Sequence, residues 1–143
     1  MAINTGKVIT GGLAAGVVGN IIGYLGFGMW LGPRFEAEAT AVAPSLAGRG
    51  MTSGAIATTV ITTFVIGILL VWLYAAMRPR FGPGMKTATY AALAVWVCGF
   101  VFHIDLLLMG LVTTATYVMA SVVALVQVIA SAGVGAMLYK EEG

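Results

Sequence analysis

Residues 8–31 read VITGGLAAGVVGNIIGYLGFGMWL, an uncharged stretch that is long enough to cross a membrane as one helix. A transmembrane helix needs about 20 mostly apolar residues to cross roughly 30 Å of hydrocarbon. Five of its glycines are spaced by three or four residues and therefore share one helix face. They are Gly12, Gly16, Gly19, Gly23 and Gly26. The stretch predicts a membrane helix whose smooth side lets another helix approach closely.

The remainder of the chain repeats this apolar character. Residues 51–77, 87–109 and 111–139 form three more runs of spanning length. Of the 143 residues, 60% are hydrophobic and 8% are charged, against about half and about a quarter in an average soluble domain. An ordinary soluble domain is therefore excluded. We predict an all-α fold in which residues 1–143 form one domain, a four-helix transmembrane bundle.

The connections between the runs are unequal in length. In the first one, residues 32–50, Pro33 suits the first turn of a helix and Pro44 would end it. A short surface helix over residues 34–42 of this outer loop is therefore predicted. Only Gly110 separates the third run from the fourth, which predicts a tight antiparallel hairpin.

The basic residues predict the orientation in the membrane, because cytoplasmic loops carry an excess of Lys and Arg. One side would receive five of them: Lys7, Arg78, Arg80, Lys86 and Lys140. The other side would receive Arg34 and Arg49. Both termini are therefore expected in the cytoplasm. The net charge of +2 is scattered between apolar runs, so the expected partners are the lipid bilayer and other membrane subunits or a second copy, and not nucleic acid.

Polar side chains within the runs indicate contacts between helices. Asn20 lies beside the glycine face, and Gln127 lies in a stripe of the fourth run. That stripe consists of Ala120, Ala124, Gln127, Ser131 and Gly135. Because an amide in lipid needs a partner, both amides are predicted to face protein. The glycine face itself has two interpretations: packing against the second or fourth helix, or a face for another subunit or a flat cofactor.

His103 and Asp105 form the strongly polar pair of the third run, near its predicted outer end. Ionisable residues within membrane helices are candidates for function. Asp105 would be solvated at the boundary or paired with Arg34 or Arg49. His103 would be a polar boundary residue or, alternatively, an axial ligand to haem or a chlorophyll magnesium. No cofactor is specified by these residues alone.

Several features argue against catalysis. The chain has a single His and a single Cys, Cys98, which is expected to be an inert apolar residue. Glu36 and Glu38 are two residues apart, so on a helix they diverge and form no acid–base pair. The second run adds threonines whose hydroxyls are expected to bond to carbonyls of their own helix: Thr58, Thr59, Thr62 and Thr63. We predict no enzyme and no metal site.

Two segments carry a resemblance to known proteins: NTGKVITGGLAAGVVGN at residues 4–20 and VWLYAAMRPRFGPGMKT at residues 71–87. In its Gly-rich span and its Arg-Pro-Arg-Phe-Gly turn the chain resembles a group of small bacterial four-span membrane proteins to which no activity is assigned. The resemblance implies a multi-pass protein of the bacterial inner membrane. It attaches no functional residue to the chain.

These observations lead to one expected function and two alternatives. The expected function is a non-enzymatic membrane protein that assembles through its glycine and small-residue faces, as a homo-oligomer or as an accessory subunit of a larger complex. One alternative is a cofactor-binding subunit that uses His103. The other is a small transporter or channel with a path through Asn20, the threonines of the second run and Gln127.

Overall fold

The computed structural model describes residues 3–48 and 50–139, and this part of the chain is helical with short connections. The elements are α1 (Thr5–Gly23), a π-helix that continues it (Tyr24–Trp30), α2 (Gly32–Val42), a 3₁₀ turn (Pro44–Leu46), α3 (Ser53–Phe81), α4 (Met85–Phe102), α5 (Ile104–Leu108) and α6 (Thr114–Leu138). Four apolar helical segments are long enough to cross a membrane: Thr5–Trp30, Ser53–Phe81, Met85–Leu108 and Thr114–Leu138. The predicted all-helical fold with four potential spans is confirmed.

Polar residues just before the apolar runs start three of the long helices. The side chains of Asn4, Thr52 and Thr113 each accept the backbone N–H three residues later, at 3.1, 3.2 and 3.3 Å. Such caps satisfy N–H groups that have no partner within the helix. The caps explain why α1 begins earlier than residue 8 and why α6 begins later than residue 111.

The third span is not the continuous helix that the sequence predicted to residue 109. Helix α4 ends at Phe102, and His103 adopts φ −98° and ψ 6° before the short helix α5. There the Asp105 carboxylate accepts the N–H of Leu106 at 3.0 Å, a local bond of the kind that competes with helical pairing. Gly110 then turns the chain at φ 71°.

A helix does form in the first connection, as Gly32–Val42, with Pro33 in its first turn. It ends just before Pro44, which begins a single 3₁₀ turn. Proline suits a helix start, whereas in a helix interior it removes one backbone hydrogen bond and clashes with the carbonyl four residues earlier, which disfavours continuation. The two prolines therefore bound α2 as the sequence predicted.

The bundle has a closed end and an open end. The closed end contains residues 3–4, 82–84 and 139, and the open end contains residues 31–48, 50–52 and 103–113. Helix α1 packs against α3 and α6, while α4 packs against α6 and α3. The buried core lies in the closed half: Val8, Ala15, Leu70, Val71, Tyr74, Ala75, Ala88, Ala91, Ala92, Val128, Ala132, Ala136 and Tyr139. At the open end, by contrast, every residue from 51 to 62 of α3 and its cap is exposed.

Two tyrosines fasten the closed end. The hydroxyl of Tyr74 accepts the N–H of Gly84 at 3.1 Å, and the hydroxyl of Tyr139 accepts the N–H of Asn4 at 3.2 Å. Their rings meet edge to face, with centroids 6.0 Å apart, an arrangement that aromatic quadrupoles favour. The turn after α3, the start of α1 and the end of α6 are thereby joined to one cluster.

Candidate binding crevice

The glycine face of α1 is occupied by helices of the same chain. A Cβ added at Gly12 would lie 2.5 Å from the Cα of Ile68, and one at Gly16 would lie 2.9 Å from the Cα of Phe64. The approach is mutual, because a Cβ at Gly67 of α3 would lie 2.5 Å from the carbonyl oxygen of Gly12. Helices α1 and α3 therefore touch backbone to backbone.

Further along α1 the same face turns toward α6. A Cβ at Gly23 would lie 2.9 Å from Nε2 of Gln127, and one at Gly26 would meet the side chain of Val123. A Cβ added at Gly19 would lie 2.9 Å from Cγ2 of Thr63 in α3 and 3.1 Å from Oγ of Ser131 in α6, so Gly19 lies between the two helices. The five glycines follow the seam between α3 and α6, and Gly19 and Gly23 also line a cavity between these helices. At Gly12 and Gly16 the face is covered by α3 and is not open to a second subunit or a flat cofactor.

Both amides of the spans donate hydrogen bonds between helices, as predicted from the scarcity of partners in lipid. Nδ2 of Asn20 donates to the carbonyl oxygen of Gly16 at 2.9 Å and to that of Val60 in α3 at 3.4 Å. Nε2 of Gln127 in α6 donates to the carbonyl oxygen of Gly19 at 2.8 Å. These bonds join α1 to α3 and to α6, at the boundary between the packed half and the open half of the bundle.

Two adjoining cavities occupy the open half. One of about 940 Å³ lies between α1, α3 and α6, and the other, of about 350 Å³, lies between α4 and α6. They share six lining residues, Phe27, Phe35, Ile66, His103, Gln127 and Val128, and together we call them the crevice. None of the described residues that line it is Asp, Glu, Lys or Arg.

Aromatic rings form the α4–α6 wall of the crevice. The rings of Trp96 and Phe100 stack, with centroids 5.7 Å apart and an interplanar angle of 24°. The ring centroid of Tyr117 lies 5.2 Å from that of Phe100. The polar tips are bonded to backbone: Trp96 donates to the carbonyl of Ser121 at 2.8 Å, and Tyr117 donates to that of Phe100 at 2.6 Å. With those donors occupied, the wall presents mainly apolar ring surface.

The π-helix Tyr24–Trp30 contributes to the opposite side. Its wider turn is visible where the N–H of Leu31 bonds to the carbonyl of Gly26, five residues earlier, at 2.9 Å. Phe27, within this segment, borders both cavities. Single π-turns inside α-helices often occur at functional sites. The sequence did not predict a π-helix here, although the closely spaced Gly26 and Gly28 lower the α-helical propensity of this segment.

His103 stands at the break between α4 and α5 and lines both cavities. Its Nδ1 is 2.8 Å from the carbonyl oxygen of Gly99. Because a carbonyl can only accept, Nδ1 carries the hydrogen, and in the neutral ring Nε2 is an acceptor. Within residues 3–48 and 50–139, no hydrogen bond engages Nε2.

The predicted pairing of Asp105 with Arg34 is not present. Asp105 is exposed and bonds to the N–H of Leu106, while Arg34 donates to the sulfur of Met119 at 3.2 Å. Arg49, the other predicted partner, lies outside the described residues. His103 and Asp105 are close in sequence, but only His103 lines the crevice.

Glu38 is the polar anchor that sequence reasoning missed. Its carboxylate accepts the hydroxyls of Thr116 at 2.6 Å and Thr113 at 2.7 Å, and the N–H of Thr113 at 3.0 Å. These bonds, led by that from Thr116 and aided by the nearby Arg34 guanidinium, hold the pKa of Glu38 below its usual range against the opposing effect of burial. Helix α2 is thereby fastened to the N-terminus of α6, where a negative charge is favourable.

Three of the four threonines of the second run make the predicted bonds, and Thr62 makes no such bond among the described residues. The hydroxyls of Thr58, Thr59 and Thr63 each donate to the carbonyl four residues earlier, at 2.9 to 3.0 Å. Cys98 is exposed on α4, on an apolar helix where lipid is the expected surrounding. Among the described residues, no three His, Cys, Asp or Glu side chains are grouped as a metal site would require.

Comparison with known protein families, with curated proteins and with solved structures yields no match to this chain. Function must therefore be argued from the site. The crevice combines a large volume, apolar walls and a few polar atoms fixed by the backbone, which is the usual character of a small-molecule site.

Proposed function

We propose that this chain is a non-enzymatic protein of the bacterial inner membrane that binds a small, uncharged, largely apolar molecule in its crevice. The observation that carries the proposal is the crevice itself. Its two cavities, about 940 and 350 Å³, compare with about 300–1,000 Å³ for known small-molecule sites. Since no charged side chain lines it among the described residues, an ion or a charged solute finds no counter-charge there.

The lining of the crevice favours an apolar occupant, because its walls are aromatic and aliphatic with few polar atoms. A lipid-derived or other apolar molecule from the surrounding bilayer fits the available space.

A through-channel is the less favoured alternative. Its predicted path through Asn20, the α3 threonines and Gln127 reaches the crevice but then meets the closed half. There Leu70 and Val71 are at most 1% exposed. A site that ends at a packed core supports binding more than passage.

Filling the crevice tests this proposal. Ala120 lines the smaller cavity, whereas Ile61 lines neither cavity and is exposed. We expect Ala120→Trp to lower binding of the neutral probe 1-methoxynaphthalene at least about tenfold, because the indole would occupy the site, while Ile61→Trp leaves it unchanged. Equilibrium dialysis of protein in lipid nanodiscs, with empty nanodiscs as the blank, measures the difference.

Binding no greater than that of empty nanodiscs would refute the proposed function. Equal binding by both tryptophan variants would show that the probe lies elsewhere. A visible absorption band in the purified protein that is lost in His103→Ala would instead identify a haem or chlorophyll-type occupant.

The proposed orientation places the closed end, with both termini, in the cytoplasm. Four basic residues of the described chain lie toward that end: Lys7, Arg78, Arg80 and Lys86. Arg34 alone lies toward the open end among the described residues. The positive-inside rule then directs the crevice toward the outer half of the bilayer.

Single cysteines test this topology. In a Cys98→Ala background, Ala47→Cys should react with an impermeant maleimide added outside intact cells, because Ala47 is exposed in the first connection. Pro83→Cys, which lies in the exposed turn between α3 and α4, should react only after the membrane is opened. The reverse labelling pattern would invert the orientation and the expected side of ligand entry.

Assembly with a second copy or a larger complex is a further candidate. Because the glycine face is occupied within the chain, the face that supports assembly is the open-end half of α3, where residues 51–62 are all exposed. The Ile61→Trp variant also probes this face. A loss of oligomer mass in light scattering would support assembly there.

A further inference from the structure

Two hydrogen-bonding atoms of the smaller cavity stand out because no described residue satisfies them. One is Nε2 of His103, which is an acceptor in the neutral ring because Nδ1 donates to Gly99. The other is Oγ of Ser121, which is buried and has no hydrogen-bond partner. Both residues line the cavity of about 350 Å³.

Only the first of these two atoms is open to the cavity. Oγ of Ser121 is buried and does not reach the cavity surface, whereas His103 is exposed. A molecule in the cavity can therefore bond to Nε2 of His103 but does not contact the hydroxyl of Ser121.

The backbone bond of His103 fixes the ring in one tautomer. Histidines that bind ligands commonly donate their second nitrogen to a carbonyl or carboxylate in this way, which sets the orientation of the ring. His103 is also exposed rather than packed in the core, so its position does not depend on apolar contacts. The bond to Gly99 therefore prepares Nε2 to accept a hydrogen.

The other walls of this cavity select for an apolar body. Stacked Trp96 and Phe100, together with Tyr117, present aromatic surface, and no Asp, Glu, Lys or Arg lines the cavity among the described residues. Planar apolar groups pack well against such rings. A charged head group would lose its hydration without gaining a counter-charge.

We propose that the occupant is a neutral apolar molecule that carries a hydroxyl or N–H group at one end, which donates a hydrogen bond to Nε2 of His103. This proposal rests on the proposed binding function and names the chemical class of the ligand. Its apolar body lies along the aromatic wall formed by Trp96, Phe100 and Tyr117.

A matched pair of probes isolates the hydrogen bond. 1-Naphthol carries a hydroxyl donor, and in 1-methoxynaphthalene that hydrogen is replaced by a methyl group, so the second probe can only accept. Equilibrium dialysis at pH 8 with the full chain in nanodiscs, corrected by empty nanodiscs, gives a dissociation constant for each. One hydrogen bond corresponds to a preference of about three- to tenfold for 1-naphthol.

The variant His103→Leu should reduce that preference while binding of 1-methoxynaphthalene persists, and Ser121→Ala should leave the preference unchanged. Both residues lie outside the buried core cluster, and an unchanged unfolding temperature checks that the variants are folded. A preference that survives in His103→Leu, or that is lost in Ser121→Ala, overturns the assignment of the hydrogen bond to His103.

The outcomes separate this inference from the proposed function. If the wild-type chain binds both probes equally well, the hydroxyl-directed site is refuted and the apolar crevice stands. If neither probe binds above the empty-nanodisc level, the proposed function fails and this inference fails with it.

Discussion

Replacing Gly67 with leucine should prevent the bundle from reaching its folded state. A Cβ at this position would lie 2.5 Å from the carbonyl oxygen of Gly12 and 2.7 Å from the backbone nitrogen of Gly16. Neither atom can move aside without separating α1 from α3. Overpacking costs about 1–3 kcal/mol where flexible side chains can adjust, and we expect more here because the obstacle is backbone.

The same substitution at Gly54 serves as the control within α3. No atom lies within 4 Å of a Cβ added there, and leucine has the higher helix propensity. Thermal unfolding in detergent, followed by tryptophan fluorescence and circular dichroism, should therefore show Gly54→Leu close to wild type. Gly67→Leu should be recovered in low yield or unfold at least about 10 °C lower, since domains are stable by only about 5–15 kcal/mol. Equal unfolding temperatures would contradict the backbone contact.

The comparison of these two glycines shows how far the sequence leads. The regular spacing in α1 predicted a packing face, and the face exists, with Gly12 and Gly16 against α3. Gly67 has no periodic partner in its own helix, so nothing in the sequence separates it from Gly54. Its importance comes from the point at which α3 crosses α1, which is a property of the tertiary structure.

The crevice was not predictable for a related reason. Lipid and the protein interior are about equally apolar, so both halves of α3 fit one span, although residues 51–62 hold four threonines and a serine and residues 63–77 hold one threonine. Hydropathy therefore predicts that a helix spans the membrane but does not predict where neighbouring helices separate. The amides of Asn20 and Gln127 were the available signal, because a polar group in lipid must have a partner.

The anchor at Glu38 was missed because its partners are distant in sequence. Thr113 and Thr116 lie 75 and 78 positions away, so the sequence around Glu38 does not indicate them. The capping role of Thr113 was equally hidden, because the apolar run itself begins at residue 111. Threonine is a preferred N-cap residue, and Thr113 was the local signal that α6 begins at this point.

Glu38→Gln should loosen α2 from the end of α6. Hydrogen bonds to an ionised group contribute about 1.5–3 kcal/mol and neutral ones about 0.5–1.5 kcal/mol, and the amide offers a single accepting oxygen in place of two. Spin labels at Ala41→Cys on α2 and at Pro83→Cys in the far turn, both exposed sites, report the position of α2 in a Cys98→Ala background. Their distance distribution should be narrow in the wild type and clearly broader in Glu38→Gln. Glu36→Gln, an exposed residue of the same helix, should match the wild type.

Acidification supplies a second, independent measurement of the same anchor. The pKa of Glu38 is lowered, chiefly by the bond from Thr116. The stabilisation that this carboxylate contributes is therefore complete above the ordinary carboxyl pKa of about 4.3. It is lost as the pH falls through the lowered pKa of the folded state. The distribution of spin-label distances in the wild type should therefore stay narrow from neutral pH down to the ordinary carboxyl range. It should broaden only at lower pH, near the lowered pKa of Glu38. Glu38→Gln should be broad throughout and change little, since it has no carboxyl to protonate at this position. A variant that broadened with acid as the wild type does would place the responsible group elsewhere and remove Glu38 as the anchor of α2.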